Sequence, residues 1–160
     1  MITTPSATFT RPANETPYNA ADLVANSATA ASVEPMEFGV SRVGGRGIIR
    51  RVRLYKTGPT ATLAGFNVHL FTSAPGTPTN GDNGAFALAS AAGYIGEVAV
   101  DMSTGGSPGT VGLFKASAAV EIMFALPALD NRIYGLLEAT AGYTPASSES
   151  FTVTLEIEGE

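Results

Sequence analysis

From Phe151 to Glu158 the chain alternates without a break. Phe151, Val153, Leu155 and Ile157 fall on one side, and Thr152, Thr154, Glu156 and Glu158 on the other. Successive side chains of an extended strand point to opposite faces, so this run is a strand with one buried and one wet face. A strand of this kind needs a partner strand and a second layer over its apolar side. The same period recurs upstream. Met36, Phe38 and Val40 oppose Glu37 and Ser41; Phe66, Val68 and Leu70 oppose Asn67, His69 and Phe71; Gly96, Val98, Val100 and Met102 oppose Ile95, Glu97, Ala99 and Asp101. Val120, Ile122, Phe124 and Leu126 alternate with Glu121 and Met123, while Ile133 to Ala139 is apolar enough to be covered on both faces. The runs are separated by TGPTAT, SAPGTPTNGDNG, STGGSPGT, PALDN and GYTPASSE, all dense in turn formers. The expected fold is all-β: an antiparallel, jelly-roll-like β-sandwich of about eight strands. Only Ala85 to Ala92, AFALASAA, reads as a short helix.

With 160 residues the chain suits one domain, which at this size buries roughly 70% of its unfolded surface. Residues 1–31 differ from the rest. Pro5, Pro12, Pro17, Asn14 and Asn19, with short apolar anchors at Phe9, Tyr18 and Leu23-Val24, read as an extended N-terminal arm with brief strand pieces. Residues 32–160 form the single sandwich domain. Two placements of the arm are open: an edge strand packed on its own sandwich, or a segment reaching onto a neighbour. No basic segment followed by an apolar run marks a secretory signal, and no apolar run approaches the ~18 residues of a membrane span, so neither is expected.

The second constraint is the run RGIIRRVRLYK, Arg46 to Lys56. Period two puts Ile48, Val52 and Leu54 on a core face interrupted by Arg50, and Arg51, Arg53 and Tyr55 on a basic face with Ile49. Arginine forks on a rigid strand present defined geometry to carboxylates, carbonyls and phosphates. The plain alternative is a solvated face whose arginines pair with acids such as Glu37 or those of the next strand, where exposed pairs contribute about 0–1 kcal/mol. The surroundings sharpen the contrast. Net charge is −5, yet between Phe38 and Gly81 there are six basic residues and no acid, whereas from Asp82 onward ten acids face only Lys115 and Arg132. The overall balance argues against a nucleic-acid binder. Only 14% of residues are charged, against roughly 25% for an average soluble domain, and a weakly charged surface of split sign favours association with other proteins.

Chemistry is sparse. Cysteine is absent, and His69 is the one histidine, so a catalytic triad would have to use it and transition-metal sites are disfavoured. Its position between Val68 and Leu70 reads as an ordinary strand histidine. Asn80-Gly81-Asp82-Asn83-Gly84 offers oxygen ligands at alternate positions but lacks the acid count and closing Glu of a calcium loop, and reads first as a turn. Gly44-Gly45-Arg46-Gly47 lacks the GK[ST] ending of a phosphate loop and precedes a strand. Glu156, Glu158 and Glu160 on one strand mark a solvated face. No catalytic residue, cofactor or metal is expected.

The segments TFTRPANETPYNAADLVANS, RVRLYKTGPTAT, FNVHLFTSAP with NGDNGAF, and IYGLLEATAGYTPASSESFTVTLE resemble the small head decoration, or cement, proteins of tailed bacteriophages. The resemblance covers most of the chain. It implies a β-rich, non-enzymatic virion protein that sits as a homotrimer on the outer surface of the assembled capsid and clamps adjacent capsomers, with the major capsid protein and its own copies as partners, and with neither nucleic acid nor membrane. On that view the expected capsid or subunit contacts are Phe9, Arg11 and Tyr18 on the arm and Arg46, Arg51, Arg53 and Tyr55 on the basic strand. Two competing readings are a carbohydrate- or receptor-binding sandwich using Tyr55, Tyr94 or Tyr143, and a hydrolase dependent on His69.

Overall fold

The computed structural model describes residues 1–58, 63–103 and 112–159. The turn runs TGPTAT and STGGSPGT lie largely outside them, as does Glu160. Among the described residues there are eleven strands: β1 (Ile2–Thr3), β2 (Ser6–Thr10), β3 (Leu23–Val24), β4 (Met36–Gly39), β5 (Arg46–Lys56), β6 (Gly65–Phe71), β7 (Tyr94–Asp101), β8 (Leu113–Ala116), β9 (Ile122–Ala125), β10 (Arg132–Ala139) and β11 (Ser150–Gly159). They form two antiparallel sheets. In the first, β11 and β5 are central, with β1 and β2 on one edge and β8 and β9 on the other; in the second, β10 and β6 are central, flanked by β3 and β4 and by β7. The chain is an all-β sandwich with more strands than the roughly eight expected: the leading segment supplies three short ones and Leu113–Ala116 another, beside the seven runs read from the sequence.

The alternation of β11 is what fills the space between the sheets. Phe151, Val153, Leu155 and Ile157 are buried, and they meet Phe66, Val68 and Leu70 of β6 and Ile133 and Leu137 of β10 in one apolar cluster. Each such side chain contributes about 1.5–3 kcal/mol when fully buried. β10 is covered on both sides, as its composition implies. Its other face carries Tyr134 and Leu136 into a second, smaller cluster with Leu23, Ala25, Val33 and Phe71. Phe86 and Leu88 close that cluster from outside.

This outer lid corrects the short helix expected over Ala85 to Ala92. Phe86 and Leu88 alternate toward the sheet, and the backbone bonds across to 76–79 instead of to itself: Thr79 N–H donates to Ala87 O at 2.9 Å and Gly76 N–H to Ser90 O at 3.0 Å. A run this short has too few internal bonds to hold a helix against such partners. Among the described residues the one helical turn is the 3₁₀ turn Ala30–Ser32. Gly81 lets the lid approach that region, since a Cβ there would lie 2.1 Å from Ala28 O.

β5 departs from strict period two. Glu156 pairs with Arg51 and the next residue, Ile157, with Ile49, so Arg50 is left without an opposite number and forms a β-bulge. The bulge changes the phase of the strand. Ile49, Val52, Leu54 and Lys56 are all fully buried, while Ile48 is half-buried on the outer face. The assignment of Ile48 to the core and Ile49 to the basic face is therefore reversed.

The leading segment lies on its own sheets. β1 and β2 run antiparallel to β11, with Ile2 opposite Glu158 and Phe9 opposite Phe151, and β3 pairs with β10.

Candidate functional site

The outer face of the first sheet is built row by row from β5 outward. Ile48 has Glu158 and then Ile2 on one side and Met123 on the other. Ile2 is 74% and Met123 77% exposed, so this row leaves apolar surface facing solvent. A shallow groove of about 390 Å³ runs beside it, lined by Arg46, Gly47, Ile48, Met123, Phe124, Glu158 and Gly159. Its floor is fixed by Gly47. A Cβ there would meet Glu158 O at 2.7 Å, so a larger residue forces the two strands apart.

The arginines of this face divide by partner. Arg50, at the bulge, is held between Glu158, whose Oε2 accepts from Nε at 2.7 Å, and Glu121. Arg53 pairs with Glu156 on β11. Arg46 and Arg51 are exposed, as is Arg42 just before β5, and among the described residues none of the three has an ion pair. Arg46 and Arg51 thus lie along β5 on either side of the apolar row, with Arg42 just before the strand, while their neighbours are neutralised within the chain. Tyr55 lies half-buried farther along the same face, opposite Phe114 and Thr152.

Toward β2 the face is covered by hydroxyls. Ser6 bonds Thr154 at 2.6 Å, Thr8 bonds Thr152 at 2.8 Å, and Thr10 bonds Ser150 at 2.6 Å. Because these groups pair with one another across the strands, covering them costs less desolvation than covering unpaired hydroxyls. The signal was present in SATFT and SFTVT, which both carry Ser or Thr at every second residue.

The arm residues expected at this surface are elsewhere. Phe9 stacks on Phe151 with ring centroids 5.4 Å apart and packs against the core. Arg11 and Tyr18 are each 2% exposed, so they present no outward contact surface in this fold. Arg11 donates from Nε to the Tyr18 hydroxyl at 2.8 Å and from Nη2 to Asp82 Oδ2 at 3.1 Å, and the Tyr18 hydroxyl donates to Asp82 Oδ1 at 2.5 Å. The backbone N–H of Ala25 donates to the same Oδ1 at 2.9 Å. Asp82 is thus consumed as an internal acceptor, which explains the NGDNG loop without calcium. A second buried pair lies alongside. Lys56 Nζ donates to Glu149 Oε1 at 2.8 Å and to Gly58 O at 2.7 Å, and the Tyr143 hydroxyl donates to Glu149 Oε2 at 3.1 Å. Tyr18 and Tyr143 stack at 5.2 Å and join the two pairs. Burial, with Asp82 beside one phenol and Glu149 beside the other, pushes both tyrosines far above their ordinary range. Burial also lowers the Lys56 ammonium, partly offset by Glu149. Tyr143, at 5% exposure, offers no platform for a sugar.

His69 is a strand residue, as its place between Val68 and Leu70 suggested, but it is covered. It is 7% exposed on the outer face of β6, stacked on Phe86 with centroids 4.4 Å apart. Its hydrogen-bond partners among the described residues are Glu138, 2.6 Å from Nε2, and the Tyr94 hydroxyl, 3.3 Å from Nδ1; Glu97 lies 3.5 Å from Nδ1. Neither bonded partner is an aliphatic hydroxyl nucleophile, so the triad arrangement is not formed there. Burial, then Glu97 and Glu138, raises the Tyr94 phenol, which stays protonated at neutral pH.

Comparison with protein-family models, with curated proteins and with solved structures finds no match for this chain.

Proposed function

We propose that this protein is a non-enzymatic decoration protein of a tailed-phage head, binding the outer surface of the assembled capsid as a homotrimer and stabilising contacts between capsomers. The observation that carries the reading is the outer face of β5, where Arg46 and Arg51, neither with an ion pair among the described residues, border the exposed Ile2 and Met123 and the half-buried Ile48, with Arg42 exposed just before the strand. Exposed Met and apolar surface with arginines at its border matches the composition of protein-binding patches, and the guanidinium groups favour an acidic partner. The face is rigid, being the back of the central strand pair, so little ordering cost accompanies docking. The resemblance of the sequence to head decoration proteins names the partner as the major capsid protein. A trimer engaging several capsomers multiplies modest contacts into avidity, and because it occupies the assembled lattice alone, binding stabilises the shell.

The test is twofold. Light scattering at micromolar concentration reports a trimer, and the chain co-sediments saturably with expanded heads of the phage that encodes it. Arg46→Glu with Arg51→Glu abolishes co-sedimentation while leaving the melting temperature in place. A monomer that ignores such heads, or a double variant that binds as well as the parent, overturns the reading.

A further inference from the structure

His69, Glu97 and Glu138 come from three neighbouring strands of the second sheet, β6, β7 and β10, far from the basic face of β5. One ligand atom from each lies within 4.8 Å of the others. The two ring nitrogens are in different situations. Nε2 meets Glu138 Oε2 at 2.6 Å, a short charge-assisted hydrogen bond from a carboxylate that is itself mostly buried. That bond fixes the ring and, in the neutral imidazole, places the lone pair on Nδ1. Phe86 holds the ring plane from above.

Nδ1 then faces the Glu97 carboxylate at 3.5 Å, with the Tyr94 hydroxyl at 3.3 Å. The Tyr94 hydroxyl donates weakly to that lone pair, whereas the Glu97 carboxylate is a second acceptor and has no attraction to it without a cation between them. It is the separation of two ligands on one tetrahedral ion, since bonds of ~2.0–2.2 Å place adjacent donors roughly 3.3 Å apart. A carboxylate on the distal nitrogen, a ring pinned by stacking and a second carboxylate beside the proximal nitrogen are the arrangement that orients a metal-ligating histidine.

We propose that this face of the second sheet binds one divalent transition-metal ion of the Zn²⁺ class, with His69 Nδ1 and the Glu97 carboxylate as ligands and Glu138 as the positioning residue behind Nε2. An imidazole nitrogen with a carboxylate selects such ions over Ca²⁺ or Mg²⁺. Glu97 has its side chain half exposed and is free to close on the ion, and water completes the coordination. The bound ion ties β6 to the edge strand β7.

The test uses the full chain and Zn²⁺ alone, followed by calorimetry and by imidazole nitrogen NMR. One equivalent binds, with the resonance of His69 Nδ1 moving and that of Nε2 largely unmoved. Glu97→Gln, at a half-exposed position that the fold tolerates, weakens binding at least tenfold, and Glu138→Gln weakens it about 10–100-fold. Glu121→Gln, at the other sheet, leaves it unchanged. Absence of saturable binding, binding indifferent to Glu97→Gln and Glu138→Gln, or metal on Nε2 overturns the proposal. None of these outcomes depends on capsid binding.

Discussion

Arg11 and Arg51 are the same residue put to opposite uses. Arg11 lies inside the fold, with its guanidinium divided among Tyr18, Asp82 and the backbone oxygens of Asn14 and Ala146. Arg51 lies on the outer face of β5 with no acid paired to it among the described residues. The first arginine holds the leading segment onto the sandwich; removing its counter-ion leaves a charge stranded in a low dielectric. The second is solvated in the free protein and contributes nothing measurable to folding. The end of the sandwich that buries Arg11 is thus where losing one partner is costly, and the face that carries Arg51 is where a charge can change at little cost to folding.

Four measurements sharpen or break this contrast. Asp82→Ala strands Arg11 and lowers the unfolding free energy by about 3–5 kcal/mol, read by urea titration. A loss below ~1 kcal/mol would mean that water reaches the guanidinium and that the site is not a buried pair. Lys56→Met costs a similar amount because Glu149 is left uncompensated. Adding Glu149→Met removes the stranded charge, and the double variant returns to within ~2 kcal/mol of the parent, the remainder being the Tyr143 hydroxyl left without its acceptor.

The third is pH dependence. Tyr18 and Tyr143 have folded-state pKa values raised above the ordinary 10.0, so between that value and the raised ones the folded chain holds protons that the unfolded chain has released. Their contribution is fully present below about pH 10 and is lost as pH climbs beyond it. Tyrosinate absorbance from these two residues accordingly appears together with loss of structure, and its appearance in a still-folded protein would contradict their burial. The smallest effect on stability is that of Arg46→Glu and Arg51→Glu, each changing the unfolding free energy by less than about 0.5 kcal/mol.

The sandwich was legible because β11 and β7 alternate and β10 is largely apolar. The buried face of β11 follows directly from the period of Phe151 to Glu158, and the burial of β10 on both sides from the apolar run Ile133 to Ala139. Where a local pattern and a tertiary contact disagreed, the contact prevailed. Ala85 to Ala92 has helix-forming composition, yet Phe86 and Leu88 are needed as a lid over Leu136 and Phe71. The fate of Arg11 and Tyr18 was hidden because their partner Asp82 sits in a loop that reads as a turn on composition alone. For His69 the neighbours in the chain, Val68 and Leu70, carry no chemistry, and Glu97 and Glu138 reach it only through strand pairing. TFTR and SFTVT carried their Ser/Thr alternation in plain view, but their register against each other is a property of the fold.

The bulge at Arg50 has a consequence for charge density. A ribbon that keeps strict alternation spends every second position on its interior, so two adjacent residues never look outward together. One supernumerary residue lifts that restriction at a single point, and Arg50 and Arg51 stand side by side toward solvent while Ile49 and Val52 still seal the inside. The chain thereby sets one cation to fasten its own strands and the next to reach away from them, at a spacing no regular ribbon permits. Excising Arg50 would abolish that doublet and leave a regular strand, with Ile49 still opposite Ile157 and Arg51 still opposite Glu156.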